Sequence, residues 1–276
     1  MKNYIEKFLL KGQVIIITGA AGLLGKMHTK AVIEAGGIPI LIDINSKRME
    51  NNILELTEEY GEFEYYKFIK DITNNSQMKQ VLTDIIKKYS RIDGLINNAC
   101  INPSMNNLEF GEGRFETYTY QAWLEETEVG LYGAICCSQV FGGYFANHGG
   151  GVILNITSDL GIIAPNQDLY RIDGQPEDLQ PKKPVTYSTI KWGLIGLTKY
   201  ISTYWAKSNV RANAVAFGGV YNNQNNMFLK RVKEVIPIGR LANKDEYICT
   251  VIFMLSSASS YMTGSIVVID GGRTAW

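Results

Sequence analysis

The sequence has little of what marks several classes of protein. Its 276 residues include two histidines and four cysteines, none at metal-ligand spacing, and four cysteines are few for a disulfide scaffold. Lys plus Arg and Asp plus Glu both number 27, so no charge excess favours nucleic acid or a membrane surface as partner. No apolar run reaches the roughly 18 residues of a membrane-spanning helix, and the first 13 residues lack a signal-peptide core. These absences predict a soluble, cytoplasmic protein without a metal site.

Apolar runs of strand length alternate with longer segments of helical period along the chain. The predicted strands are Val14–Thr18, Ile38–Ile42, Tyr65–Ile69, Gly94–Asn97, Val152–Thr157, Arg211–Ala216 and Ile266–Ile269. The predicted helices are Leu23–Glu34, Lys47–Glu59, Asn75–Tyr89, Tyr120–Asn147, Tyr187–Lys207 and Lys244–Leu255. Near-continuous Val and Ile predicts strands buried on both faces, as in a parallel sheet. The pattern predicts an α/β fold, a single doubly wound Rossmann-fold domain over residues 1–276 with about seven parallel strands flanked by helices.

Two segments interrupt this alternation. Asn102–Thr119 is polar and irregular and contains Pro103, whereas Gly161–Pro184 holds four of the seven prolines. Both follow predicted strands, at the carboxyl edge where such sheets bind ligands. Long loops inside a compact domain are usually functional or disordered, and two loops over one crevice favour function. We expect residues 159–185 to form a substrate loop.

The first predicted strand runs directly into a glycine-rich turn. Gly19, Gly22 and Gly25 permit a tight turn, close approach of a pyrophosphate to the backbone and close packing of helix on strand. Leu23 and Leu24 begin that helix, whose free N–H groups and positive dipole end suit phosphates. A glycine triplet also occurs in a plain βα turn, but its position after the first Val/Ile strand favours a dinucleotide site.

Asp43 ends the second predicted strand, 18 residues beyond Gly25. A carboxylate there accepts hydrogen bonds from an adenosine ribose and repels a 2′-phosphate. Lys47 and Arg48 follow closely and are interpreted as cations on a solvated helix face. Asp43 therefore predicts NAD(H) as the preferred cofactor and NADP(H) as the less favoured one.

Polar residues also follow the third and fourth predicted strands. Asp71, with Ile72 beside it, contacts the adenine in one interpretation and caps the next helix in the other. Asn97, Asn98 and Ala99 close the fourth strand. Two adjacent amides at a buried strand end tie neighbouring strands together, line the cofactor cleft, or do both.

Ser158 ends the fifth predicted strand, and Tyr187 and Lys191 open a helix. Four helical residues return to nearly the same face, so Tyr187 and Lys191 are neighbours. A lysine about 4 Å away favours a phenolate by up to about 4 kcal/mol, which lowers a tyrosine pKa by about three before the cost of desolvation. Ser158 would hold the reacting oxygen beside the phenol. A surface Tyr–Lys pair is the plainer interpretation, which the glycine turn and Asp43 disfavour.

The chain resembles a short-chain dehydrogenase/reductase over residues 12–272. The matching motifs are the Thr18-Gly19 turn, Asn97-Asn98-Ala99, Ser158, Tyr187 with Lys191, Gly218-Gly219-Val220 and Ile269-Asp270-Gly271-Gly272. The resemblance implies hydride transfer between a nicotinamide and an alcohol or carbonyl carbon of a small-molecule substrate. It implies Tyr187 as acid/base, Lys191 on the nicotinamide ribose, Ser158 on the substrate, and Gly218 and Val220 at the carboxamide. It also implies a homodimer or homotetramer.

Some positions depart from the family pattern. Gly130 stands where the family has a helix-borne Asn of a proton relay, Cys100 stands for a glycine, and Phe217 stands for a proline. Gly130 and Phe217 motivate an alternative of a different class, a cofactor-binding scaffold without turnover. The retention of Ser158, Tyr187 and Lys191 disfavours that alternative.

A narrower resemblance concerns the substrate. Lys183–Tyr187, Gly218–Gln224 and Ser260–Gly264 are similar to bacterial oxidoreductases of flagellin modification, which act in surface-sugar pathways. The polar insert before Tyr187 suits a hydroxyl-rich substrate, and its Arg171 is either a ligand for a sugar phosphate or a solvated loop residue. The alternatives are another small polyol, a ketone or an acyl thioester.

Overall fold

The computed structural model describes residues 3–102 and 113–276. Pro103, with most of the first irregular segment predicted above, lies outside these residues. The second irregular segment is described throughout and consists of short 3-10 turns, Asp159–Gly161, Gln167–Tyr170 and Glu177–Leu179, joined by extended backbone.

Within the described residues, seven strands form one sheet. They are β1 Val14–Thr18, β2 Ile38–Asp43, β3 Tyr66–Ile69, β4 Gly94–Asn97, β5 Gly151–Ser158, β6 Val210–Phe217 and β7 Ile266–Ile269. Their order is β3-β2-β1-β4-β5-β6-β7, and all neighbouring pairs are parallel. The predicted doubly wound parallel sheet is confirmed, and every strand end lies within one residue of its predicted position.

Helices cover both faces of the sheet. They are α1 Leu23–Glu34, α2 Ser46–Tyr60, α3 Asn75–Tyr89, α4 Tyr120–Thr127, α5 Gly133–Cys137, α6 Gly143–Asn147, α7 Val185–Tyr204, α8 Asn226–Val235 and α9 Ile248–Leu255. The predictions for α1 and α3 are confirmed to the residue. The last predicted helix begins instead with a 3-10 turn, Lys244–Tyr247. The sequence pattern missed α8, because this polar helix fully buries only Val232.

Residues 120–147 form one long helix, in which π turns at Glu128–Tyr132 and Ser138–Gly142 join α4, α5 and α6. By length and composition alone, this described helix could cross a membrane, which is weak evidence for a membrane span. More than half of its most apolar window is buried within the protein, as in the core helix of many folds. Phe141 and Phe145, both fully buried, belong to the apolar cluster on one face of the sheet.

The two faces of β1 show how the sequence builds the core. Ile15 and Ile17 lie in the cluster shared with α1 and α9, whereas Val14 and Ile16 lie in the cluster shared with α3. Successive side chains of a strand point to opposite faces, so a strand that is buried on both sides needs this continuous apolar run. The strand order reverses between β1 and β4, and a crevice opens at the carboxyl ends of such neighbours.

Candidate active site

A cleft of about 1500 Å³ runs along the carboxyl edge of the sheet. Strand ends, the segment 159–185 and α8 supply its walls. The predicted site residues that line it are Gly19, Gly22, Leu23, Leu24, Asp43, Asp71, Ile72, Asn98, Ala99, Ser158, Tyr187, Lys191, Gly218 and Val220. The remaining predicted residue, Gly25, lies behind the turn and does not line the cleft.

The glycines of the turn allow other groups to approach its backbone closely. Gly19 has φ +64°, and a Cβ on it would lie 2.8 Å from the Ala99 Cα. A Cβ on Gly25 would lie 2.1 Å from the Gly19 carbonyl oxygen, so glycine at 25 lets α1 pack against the turn. The first turn of α1 has no acidic residue and its N-cap, Gly22, makes no side-chain hydrogen bond, which leaves the helix N-terminus open toward the cleft. These features fit the phosphates of a dinucleotide.

Asp43 is held by the backbone on both sides of its carboxylate. Oδ2 accepts from the Ala21 N–H at 2.9 Å, and Oδ1 accepts from the Asn45 N–H at 2.9 Å. A carboxylate has about four acceptor sites, so ribose hydroxyls fit the two that remain. Arg48 also lines this end of the cleft although its side chain is exposed. The cleft lining therefore includes a cation five positions after Asp43, whereas the sequence pattern predicts that Arg48 lies only on a solvated helix face.

Asp71 does not cap α3, so that interpretation is wrong. Its Oδ1 accepts from the Thr73 N–H and hydroxyl at 2.9 and 2.8 Å, whereas Asn74 is the N-cap, accepting from the Gln77 N–H at 3.1 Å. Asn98 joins strands and lines the cleft at once: its amide donates to the Thr18 carbonyl at 3.0 Å.

Ser158, at the end of β5, belongs to a buried polar network that the sequence did not reveal. Its hydroxyl donates to Asp159 Oδ1 at 2.7 Å, and Asp159 Oδ2 accepts from Arg273 Nη1 at 2.8 Å. The two charged side chains are 3% and 10% exposed. The network fixes the rotamer of Ser158 at the cleft wall and links it to the end of the chain.

Tyr187 and Lys191 are neighbours on α7, as the spacing predicted, but their electrostatics differ from the expectation. Lys191 Nζ donates to the Ile156 carbonyl at 2.9 Å and lies 5.6 Å from the centroid of the Tyr187 ring. Burial raises the pKa of Tyr187 above its ordinary value and the nearby Cys100 thiol raises it further, whereas the Ser158 hydroxyl acts against that shift. The expectation that Lys191 brings this pKa toward neutrality is wrong here, because desolvation dominates. The phenol is protonated at neutral pH and can serve as a proton donor.

The structure explains two of the departures from the family pattern. A Cβ on Gly130 would lie 2.9 Å from Ile190 Cγ2 and 3.3 Å from Cys100 Sγ, so these side chains fill the space of a longer residue. Phe217 is buried and stacks on Tyr247 at 4.0 Å between ring centroids. An aromatic ring at 217 is therefore part of the core beneath the cleft.

Residues of the segment 159–185 and of α8 line the cleft together with the glycine turn. Arg171 lines the cleft, but its guanidinium is paired with Glu177 at 2.7 Å. Arg231 of α8 likewise pairs with Asp173 at 2.6 Å. Both arginines bridge loop elements as ion pairs.

Two family models together match nearly the whole chain. The short chain dehydrogenase model matches residues 13–170, and the model described as enoyl-(acyl carrier protein) reductase matches residues 177–274.

Curated relatives are similar over almost their full length. The chain is 28% identical over 264 residues to post-translational flagellin modification protein A of Campylobacter coli, covering 96% of this chain and 99% of that protein. It is 30% identical over 267 residues to a 3-oxoacyl-(acyl-carrier-protein) reductase of Thermotoga maritima, covering 95% and 98%. It is 29% identical over 298 residues to the NADH-dependent L-xylulose reductase of Ambrosiozyma monospora, covering the whole of both.

Solved structures share the fold. The crystal structure of gox2181 has a TM-score of 0.86 at 26% identity, covering 99% of this chain and all of the other. A short-chain dehydrogenase of Leptospira borgpetersenii with bound NAD+ has a TM-score of 0.83 at 26% identity, covering 99% and 96%. A gluconate 5-dehydrogenase of Burkholderia cenocepacia in complex with NADP and tartrate has a TM-score of 0.84 at 22% identity, covering 99% and 100%.

Neighbours of this fold thus bind either nicotinamide cofactor. The family model that spans residues 13–170, the doubly wound sheet and the residues gathered at its carboxyl edge all agree. The chain belongs to the short-chain dehydrogenase/reductase family of oxidoreductases.

Proposed function

We propose that the protein is an NAD(H)-preferring oxidoreductase that acts on an alcohol or carbonyl carbon of a sugar or sugar derivative in surface-glycan biosynthesis. The observation that carries the proposal is the meeting of Ser158, Tyr187 and Lys191 with the glycine turn in one cleft. Its predicted cytoplasmic location and its assembly as a homodimer or homotetramer stay predictions.

The chemistry assigned to the protein is proton transfer at the substrate oxygen. A bound nicotinamide cofactor would supply or accept the hydride. In reduction, the protonated Tyr187 phenol beside Ser158 would donate its proton to the carbonyl oxygen and become a phenolate. In oxidation, the phenolate would accept the proton of the substrate alcohol. Lys191, whose ammonium lies against the strand end, would bind the nicotinamide ribose.

The preference for NAD(H) is supported by Asp43, whose carboxylate the backbone holds facing the turn. It would accept hydrogen bonds from the ribose hydroxyls and repel a 2′-phosphate. Arg48 on the same wall favours a phosphate, so the preference depends on which of the two side chains dominates.

The sugar assignment is supported by the relatives. One relative is a flagellin modification protein and another reduces L-xylulose, a polyhydroxy ketone. The cleft wall from 159–185 carries polar side chains, among them Arg171 and Asp173, which suits a hydroxyl-rich substrate.

The first experiment is a fluorescence titration of the protein with NADH and, in parallel, NADPH. We expect saturable binding of both cofactors, tighter for NADH than for NADPH. In Asp43→Ala the ratio of the NADPH to the NADH dissociation constant should be smaller, because the carboxylate that repels a 2′-phosphate is gone. An unchanged ratio in this variant would refute the role of Asp43.

Turnover is then measured as NADH oxidation with a panel of keto sugars and their derivatives. Tyr187→Phe should bind NADH like the native protein and lose turnover, since its ring lacks the transferable proton. Turnover that survives this change contradicts the mechanism. A second candidate function, a cofactor-binding scaffold, is favoured by the filled space at Gly130 and gains support from NADH binding without turnover of any panel member.

A further inference from the structure

One cation in the cleft is used by nothing described above. Lys183 lies two residues before α7 and is only 8% exposed, although it lines the cleft. Its Nζ lies 4.1 Å from the centroid of the Tyr187 ring, closer than Lys191 Nζ at 5.6 Å. Within the described residues it donates one hydrogen bond, to Asn102 Oδ1 at 2.6 Å. An ammonium has three donors, so this contact leaves capacity for a ligand.

Among the residues that the structure describes, no acidic side chain forms an ion pair with Lys183. Across 3–102 and 113–276, no carboxylate oxygen lies within 4 Å of its Nζ, in contrast to Arg171 and Arg231, which line the same cleft and are ion-paired. The two buried acids nearby are engaged elsewhere: Asp159 with Arg273, and Glu126 with the Thr186 hydroxyl.

A buried ammonium without a directly paired anion is costly. Desolvation lowers the pKa of Lys183 to about 8, against the raising effect of the Cys100 thiol and Glu126. Lys191 beside it adds a second positive charge. An anion placed in the cleft would relieve both costs at once. The ammonium lies over the ring of the proposed proton donor, so such an anion would lie close to Tyr187.

We propose that Lys183 binds an anionic group of the substrate, a carboxylate or a phosphate, and places it beside Tyr187. This rests on the proposed function and sharpens it: the substrate is a sugar acid or a sugar phosphate, and a neutral polyol is a poor substrate. The anion sits next to the reacting carbon, since the ammonium and the phenol share one small region of the cleft.

The test is a binding measurement that does not depend on knowing the substrate. The complex with NADH is titrated by calorimetry with D-gluconate, D-glucose 6-phosphate and D-glucitol, which supply a carboxylate, a phosphate and no charge. The same titrations are run without cofactor. We expect one of the two anions to bind about 10- to 100-fold more tightly than glucitol, as for a hydrogen bond to a charged group, and the tighter anion identifies the source of the charge.

Variants at 183 separate charge from shape. Lys183→Met and Lys183→Gln should bind the anion no better than glucitol, whereas Lys183→Arg should retain the preference. NADH affinity is measured for all three in parallel and should change less than the anion affinity, because Lys183 is proposed to bind the substrate and Lys191 the cofactor. Equal binding of anions and glucitol by the native protein, or an anion preference that survives Lys183→Met, overturns the proposal. Failure of NADH to bind overturns the proposed function instead, and the cofactor-free titrations still decide the role of Lys183.

Discussion

At the scale of single residues, the site depends on contacts between segments far apart in the chain. Asp159 follows Ser158 directly, yet its ion pair comes from Arg273, 114 positions later. Both side chains are almost fully buried, so each neutralises a charge that the interior would otherwise disfavour. The Ser158 hydroxyl takes its orientation from the same carboxylate.

Arg273→Met should therefore destabilise the protein by about 3 kcal/mol, since it leaves the buried Asp159 carboxylate unpaired. Urea unfolding at pH 7 measures this loss. The double variant Asp159→Asn with Arg273→Met should recover part of it, because the uncompensated charge is gone. Arg240→Met is the matched control: its pair with Glu246 is solvent-exposed, so its unfolding midpoint should hardly move. Equal effects of Arg273→Met and Arg240→Met would contradict the assignment.

Whether a feature of the site can be predicted from the sequence depends on how far apart its residues lie in the chain. The glycine turn and the four-residue spacing of Tyr187 and Lys191 are local patterns, and the structure brings them to one cleft. Pairings such as Lys183 with Asn102 or Asp159 with Arg273 leave no local signal. The electrostatic expectation for Tyr187 failed for another reason: desolvation is a property of the packed site, and spacing along a helix contains no information about it.

At the scale of elements, a strand or helix is easier to predict from the sequence when more of its side chains are buried. The central strands are apolar on both faces, and the ends of all seven strands lie within one residue of the predicted positions. The sequence pattern missed α8, because a polar helix with one fully buried side chain has little apolar periodicity. The long helix 120–147 was predicted as one segment, but its two π turns depend on local packing around residues such as Gly142, where a Cβ would lie 2.5 Å from the Trp205 ring.

The contact between α1 and the glycine turn gives the prediction at this scale. Gly25→Ala should lower the thermal midpoint and abolish NADH binding, because its Cβ would overlap the Gly19 carbonyl oxygen and push α1 away from the turn. Gly196→Ala is the matched control. Gly196 is exposed within α7 and its Cβ would meet nothing within 4 Å, so alanine should stabilise the helix by up to about 1 kcal/mol. Calorimetric melting and NADH titration of both variants test this, and native-like cofactor binding by Gly25→Ala would refute it.

At the scale of the whole molecule, α1, β6 and the residue that follows β4 meet at one buried histidine. His28 is 1% exposed; its Nε2 lies 3.2 Å from Asn98 Oδ1, and its ring stacks on Phe217. Burial lowers the pKa of His28 to about 4, with the Asn98 hydrogen bond acting against that shift. The imidazole is thus neutral in the folded protein over the range in which an unfolded histidine takes up a proton.

The free energy of unfolding should therefore contain a pH-dependent contribution from His28. In the unfolded chain His28 takes up a proton below about pH 6.5, whereas in the folded protein it does so only below about pH 4. The free energy of unfolding therefore decreases as the pH falls from about 6.5 to about 4. The loss should be about 2 kcal/mol at pH 5 relative to pH 7. Carboxylates titrate in the same range, so the measurement is the difference between the native protein and His28→Gln, whose amide can still donate to Asn98. Urea unfolding at pH 7, 6 and 5 should show the native protein losing stability faster than the variant. If the difference in unfolding free energy between the native protein and His28→Gln stays constant with pH, His28 has the same pKa in the folded and unfolded states. The conclusion that burial keeps its imidazole neutral would then be wrong.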